Sequence, residues 1–365
     1  AADAESTVYS PALNLTFAQP FLRGFGREIF LAQGRRARAA RDVASLQREA
    51  TTANTVRDVV HAYWELAYSV EDLDIRRATL ALAEEQLRIV KVSIEAGRLA
   101  QNASAEVEVG IALRGEEIFV AELVVAERAL ELRRLAGMEI GPGEIALMAT
   151  DRPEPVLGEP DLARALASAM EKNAQLATVR AEGRSASIEV EVAENGLLPQ
   201  LDFSGSAGPS TSADAPGAAV TKLVTLDSFT VQGGLVFTTP LGRRGAQGTV
   251  DAARGVLRKV RLTESEIRAQ VAVAVVRAVN AVVSAKKRID VLAKATVLAQ
   301  VNIDTELARF AVGRATNFEV LKRQEELAQA RLHQARAKTD YLKAVAVEEA
   351  LTGDILPRYG IELAR

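Results

Sequence analysis

The chain has 365 residues, 48% of them hydrophobic and only 4% aromatic, with 45 basic against 48 acidic side chains and no cysteine. Lack of cysteine excludes disulfides, thiol catalysis and thiolate-held metals. With both signs interspersed and a net charge of −3, no basic face for nucleic acid stands out.

The abundance of Ala, Glu, Arg, Leu and Val is the composition of long packed helices with small residues at their contacts. No run approaches roughly 18 consecutive apolar residues, so no transmembrane helix is expected.

Residues 1–10 are small and polar and read as a loop. Leu13-Asn-Leu-Thr-Phe17 alternates apolar with polar, predicting a strand over 11–20 that Pro20 ends. Gly24, Gly26 and Gly34 punctuate the approach to a long helix over 22–96. There Val59, Leu66, Leu73, Leu80, Leu87 and Ile94 recur every seven residues, the seam of a helix packed along its length. Ala96-Gly97-Arg98 is a tight turn, followed by a return helix over 103–136 and then Gly137. Residues 138–160 collapse into Pro and Gly, a connector between the two halves.

Asp161 caps a helix predicted over 161–195. Leu201-Asp-Phe203-Ser-Gly205 opens a second alternating strand over 199–208. Residues 208–227 are rich in Gly, Pro, Ser and Ala and are expected to form a mobile surface loop. A third strand is predicted over 228–240, with Phe229, Val231, Gly233, Leu235 and Phe237 in one phase and Thr230, Gln232, Gly234 and Thr238 in the other. A second long helix is predicted over 241–312, roughly 108 Å at the helical rise. Its seam is Val275, Val282, Ile289, Thr296, Ile303 and Phe310. Gly313-Arg314 turns the chain, a return helix occupies 315–351, and the tail 354–365 reads as irregular.

The two halves are copies. An offset of 216 carries Ile94 to Phe310, Gly97 to Gly313, Arg98 to Arg314 and Gly137 to Gly353. Upstream, Phe17-Ala-Gln-Pro20 matches Phe237-Thr-Thr-Pro240 at an offset of 220, so the first copy holds four extra residues between Pro20 and Val59. The first repeat is thus 1–137 and the second 161–353.

A two-phase strand is either an amphipathic strand on a soluble sheet or a barrel strand, with apolar residues toward lipid and polar ones toward a wet lumen. Three strands among helices this long cannot make a closed sheet alone, which favours the barrel. Leu13, Leu15, Phe17, Phe229, Leu235 and Phe237 are then the lipid-facing residues.

His61 and His333 are the only histidines, both mid-helix without a second histidine one turn away, and read as packing or surface residues. Glu84-Glu85, Glu116-Glu117 and Glu325-Glu326 read as solvated helix faces. Tyr63, Trp64 and Tyr68 form the one tight aromatic cluster, and packing near a bend explains it better than gating. No nucleophile motif, phosphate loop, metal set or cofactor motif occurs, so no enzyme is expected.

Strand, Pro, Gly/Arg-rich bend, long helix, Gly-Arg turn and shorter helix, twice over, resembles the TolC-like outer-membrane efflux family. Leu198-Pro-Gln-Leu-Asp-Phe203, Phe237-Thr-Thr-Pro-Leu-Gly-Arg-Arg244 and Val312-Gly-Arg-Ala-Thr-Asn-Phe-Glu-Val-Leu321 carry it. The resemblance implies a mostly α fold with a small β part, in which duplicated helical hairpins form a periplasmic tunnel continuous with a trimeric outer-membrane β-barrel. Three visible strands are too few to close a barrel, which independently favours a homotrimer. The family builds its barrel from four strands per protomer, so a signal peptide, a helix and a fourth strand are expected upstream of Ala1.

The same resemblance places Gly97, Arg98, Gly313, Arg314 and Asn317 at tips that dock a periplasmic adaptor, and through it an inner-membrane pump. Glu319 falls where the family often carries an acidic ring at the periplasmic mouth. Lys322 and Ala103 replace other acids there, so the ring is expected to be thin. The function implied is a passive exit duct for efflux or type I secretion in the bacterial outer membrane. The alternative is a soluble coiled-coil scaffold, which explains the heptads but not the Pro-bounded strands at the same place in each copy.

Overall fold

A computed structural model describes residues 8–139, 149, 153–225 and 228–363. Most of the connector expected over 138–160 lies outside the described residues. The chain forms two compact units, Ala1–Ser45 with Thr178–Ser265, and Leu46–Ala177 with Glu266–Arg365.

The first unit holds the strands β1 (Leu15–Pro20), β2 (Gln200–Pro209) and β3 (Phe229–Thr238), paired antiparallel in the order β1-β2-β3. Isolated bridges Tyr9↔Ala213 and Ala12↔Ser210 continue the pairing beyond β1. A close backbone approach fixes one residue of β2: a Cβ on Gly208 would lie 1.8 Å from the Leu13 carbonyl oxygen, so only glycine fits. After Pro20 the chain bends through Gly24 and Gly26 into a one-turn helix α1 (Arg27–Phe30), then starts α2 (Ala32–Glu95). The Gly24 N–H is held by the Asn195 side chain at 2.8 Å. The single helix expected over 22–96 therefore starts late, because the positive φ of Gly24 and Gly26 keeps the chain out of the helical region before Arg27. It breaks once more at Leu31, between α1 and α2. The second copy bends through Gly242 alone and starts α7 (Arg244–Ala311) directly.

The expectation of a plain loop over 208–227 is also corrected: Pro216–Val224 forms α6. Pro216 at the first helical position has the dihedral a helix start needs, a signal masked by the small-residue composition around it.

The second unit is helical. α3 (Ala103–Leu135) packs on α2 through Leu66, Ala129 and Leu132, with Tyr63 and Val125 beside them. α8 (Asn317–Thr352) packs on α7 through Val282, Ala285, Ile289, Ala337 and Tyr341. Of the predicted α7 seam, Val275, Val282, Ile289 and Ile303 are buried. Thr296, its polar member, donates its hydroxyl to Leu292 O at 2.9 Å. α4 (Leu162–Lys172) lays Ala165 and Ala169 on Val271, Val275 and Val279 of α7.

Asp161 caps α4 by accepting from Ala163 N and Arg164 N. The helix expected over 161–195 is two helices, α4 and α5 (Ala174–Asn195). Asn173 leaves helical dihedrals, caps the next turn at Leu176 N, and donates from Nδ2 to Leu351 O at 3.0 Å. A side chain that both recaps its own chain and satisfies another helix's end outweighs continuation. In the tail, α9 (Ile355–Arg358) buries Ile355 and Leu356, so that segment is anchored by apolar burial where an irregular end was expected.

A stretch of α7 is long and apolar enough to cross a membrane, contrary to the expectation of none. Arg277 and Asn280 break any uninterrupted apolar run, yet the average stays apolar. A core helix meets the same criterion, and Val271, Val275 and Val279 are the residues that pack on α4.

Candidate functional site

Two places carry the features that matter: the paired hairpin turns and the two-faced sheet. At the first turn Gly97 adopts φ +70°, its N–H donates to Ile94 O at 2.9 Å, and Arg98 N donates to Ser93 O at 2.9 Å. At the second, Gly313 also adopts φ +70°, donating to Phe310 O at 3.0 Å, and Arg314 N donates to Arg309 O at 2.8 Å. Both are Schellman closures, in which a left-handed residue satisfies the last helical carbonyls. The 216-residue offset thus carries both closing bonds from one turn to the other. Arg98 and Arg314 are exposed at both.

Past the turns the copies diverge. Thr316 and Glu319 form a capping box: Thr316 N donates to Glu319 Oε2 at 2.7 Å and Glu319 N to Thr316 Oγ1 at 3.3 Å. The Thr316 backbone and hydroxyl bonds hold the Glu319 carboxyl below its ordinary pKa. The first copy has Ala100 and Ala103 at these positions, and its helix-starting Asn102 makes no side-chain cap. Glu319 is exposed, as is Lys322, but its carboxylate serves the cap of α8. Asn317, expected at a docking tip, is buried and accepts from Gln86 Nε2 at 2.9 Å. It belongs to the packing between hairpins, not to the surface.

The sheet register sorts most side chains by polarity, because directly opposed residues share a face. The main exceptions are Gln19, opposite Phe203 on the apolar face, and Val236, opposite Asp202 on the polar one. Leu15↔Ala207, Phe17↔Gly205, Phe203↔Leu235, Leu201↔Phe237 and Pro209↔Phe229 put all of these on one face with Val231. Thr16↔Ser206, Ser206↔Gln232, Ser204↔Gly234, Gly208↔Thr230 and Gln200↔Thr238 lie on the other. The apolar face is bare: Leu15 is 78% exposed, Leu235 67% and Val231 71%, and Leu13, Phe17, Phe229 and Phe237 are exposed as well. Phe17 and Phe203 stand with ring centroids 6.3 Å apart. Leu201 and Phe203 were not singled out from sequence, although the alternation through β2 already carried them. An apolar face of this size facing water has no rationale in an isolated chain.

The sequence profile of the outer membrane efflux protein family matches residues 165–353, more than half of the chain. The chain is a member of the outer membrane efflux protein family. Its place is accordingly the bacterial outer membrane, extending into the periplasm, and the scaffold alternative falls away. No curated protein sequence matches. Solved structures of similar fold include the outer membrane protein VceC of Vibrio cholerae, at 17% identity and TM-score 0.73, covering 94% of this chain and 80% of that one. The open-state MtrE outer membrane channel of Neisseria gonorrhoeae gives 15% identity and TM-score 0.74, covering 96% and 81%. The Campylobacter jejuni CmeC outer membrane channel gives 14% and 0.72, covering 95% and 71%.

In this efflux family member a polar layer also joins α2 to α8, and sequence reading missed it. Glu65 pairs with Arg336 at 3.0 Å and with Lys343, while Arg336 lies 5.2 Å over the Tyr68 ring and bonds Asp340 at 3.0 Å. Burial alone would raise Glu65, but the hydrogen bonds and charges of Lys343 and Arg336 outweigh it and hold its carboxyl below the ordinary pKa. His61 donates to Lys343 O at 3.1 Å, and burial pushes its pKa down. His333 is exposed. Tyr63 and Trp64 pack edge-on at 5.1 Å within an unbroken stretch of α2, a packing role. Among the described residues no three His, Asp or Glu side chains converge as a metal site.

Proposed function

We propose that the chain is one subunit of a homotrimeric exit duct serving a tripartite efflux or type I secretion system, a passive conduit without chemistry of its own. The two-faced sheet carries this reading. Leu13, Leu15, Phe17, Phe229, Leu235 and Phe237 face lipid, with Leu201, Phe203 and Val231 in the same band, and the Thr, Ser and Gln residues of the other face line a wet lumen. Three strands expose two edges, and closure comes from neighbouring copies in a head-to-tail ring. The helical hairpins continue the duct through the periplasm.

Gly97-Arg98 and Gly313-Arg314 are the docking tips for a periplasmic adaptor, which links the duct to an inner-membrane pump. Exposed arginines on rigid, identically closed turns can donate several hydrogen bonds to a partner's carbonyls or carboxylates. Repetition around a ring multiplies individually modest contacts by avidity. Glu319 and Lys322 flank the mouth as a sparse charged ring.

Replacing Arg98 and Arg314 together by Glu is expected to leave outer-membrane abundance and trimer mass unchanged while abolishing adaptor-dependent export and adaptor crosslinks at residues 97–104 and 313–319. Full export with undiminished crosslinking would place docking elsewhere.

A further inference from the structure

We infer that α6, at the end of the β2–β3 hairpin, lies in the headgroup region of the bilayer as an amphipathic helix that seats the barrel against lipid. This rests on the barrel reading proposed above. On a helical wheel Pro216, Ala219, Val220, Leu223 and Val224 share one arc, which is wider than the protein covers. Ala219 is buried and Leu223 half-buried, but Val220 is 54% and Val224 75% exposed.

The neighbouring hydroxyls ask nothing of solvent. Thr221 donates to Gly217 O at 2.9 Å and Thr225 to Thr221 O at 3.1 Å, the back-bonding that lets threonine sit in an apolar environment. Lys222, the one charge on the helix, is on the opposite arc and exposed. Exposed valines on one arc and a lysine on the other are the pattern of a helix lying in a membrane interface, its cation toward anionic headgroups.

Continuity with the sheet selects lipid as the occupant. The ladder ends at Pro209↔Phe229 on the apolar face, and Val224 precedes Phe229 by five residues. Two valines supply only a small part of the roughly 800 Å² per partner that a stable protein interface buries, so a second copy or another protein is a poor occupant.

The chain has no cysteine, so single-cysteine variants can be spin-labelled in the full protein reconstituted into phosphatidylethanolamine–phosphatidylglycerol vesicles. Collision with oxygen reports lipid, and collision with a water-soluble nickel chelate reports water. V224C is expected to match L235C in its oxygen-to-nickel ratio, several-fold above T230C, with K222C on the aqueous side. If L235C stays lipidic while V224C behaves like T230C, or is shielded from both reagents, the inference is overturned and the barrel stands. If L235C itself is aqueous, the barrel reading falls and the inference falls with it.

Discussion

Gln86 Nε2 donates to Asn317 Oδ1 at 2.9 Å, with both side chains buried, and so ties the first helical hairpin to the second near their turns. The duplication does not repeat this bond: the offset of 216 relates Gln86 to Asn302 and Asn317 to Gln101, and both of those are exposed. A buried amide that loses its partner retains its full desolvation cost. Gln86→Leu or Asn317→Leu alone is expected to destabilise the helical unit by about 1–3 kcal/mol. The double substitution should cost less than the sum of the two. Denaturant titrations followed by helical circular dichroism measure all three, and strict additivity would show that the amides do not interact.

The sheet faces predict a phase-dependent tolerance of charge. Leu235→Arg, in the middle of the apolar face, is expected to cost about 2–4 kcal/mol of barrel stability, and Thr230→Arg or Gln232→Arg far less. Unfolding from detergent or bilayer separates the two classes. Equal tolerance on both faces would remove the basis for assigning one of them to lipid.

Much of this was legible beforehand because it is written in periodicity. The seven-residue seam from Val275 to Phe310 states which side of the helix is packed, the alternation through Phe229 and Phe237 states which residues share a face, and the recurrence of Gly97 as Gly313 fixes the turns. What escaped was held by single side chains with no repeat to announce them. Asn173 breaks a helix by capping two segments at once, and nothing in its neighbours foretells that. Asn317 reads as a loop-tip amide until packing brings Gln86 to it. Glu65 meets Arg336 and Lys343 across more than 270 positions of sequence, a separation at which charge spacing carries no information. α6 was hidden because Gly, Ala and Pro dominate the surrounding stretch, although Val220, Leu223 and Val224 already have helical spacing.

The unequal caps predict unequal fraying. Thr316 closes the start of α8 through its capping box, whereas Asn102 leaves α3 without a side-chain cap. Amide hydrogen exchange is expected to be faster at residues 103–106 than at 317–320, and Thr316→Ala, costing about 1 kcal/mol, should erase most of the difference. The cap is also pH-dependent. The Glu319 carboxyl is depressed in the folded state, so its contribution is present above the ordinary carboxylate range and lost as pH falls through the folded value. Equal exchange at the two starts at neutral pH would show that the box does not govern fraying.

The Glu65 layer makes the sharpest prediction, because one carboxylate satisfies two cations on the facing helix. Removing it leaves Arg336 and Lys343 close together and partly desolvated; their side chains are 37% and 23% exposed, against 16% for Glu65. Loss of one partner from a fully buried pair costs about 3–5 kcal/mol. Solvent screening at the half-exposed arginine lowers the expectation for Glu65→Ala to roughly 1–3 kcal/mol. Glu65→Gln keeps the shape and one acceptor and should fall between wild type and alanine. The carboxyl is depressed on folding, so the wild-type advantage over Glu65→Gln should be full above the unfolded carboxylate pKa and shrink as pH falls through the folded one. Asp340, which also bonds Arg336, keeps part of the layer intact, so Glu65→Ala with Asp340→Ala should exceed the sum of the single effects. Denaturation midpoints of the wild type and these variants, taken from neutral to acid pH, test the scheme. A Glu65→Gln difference that does not vary with pH would show that the ion pairs contribute no more than neutral hydrogen bonds.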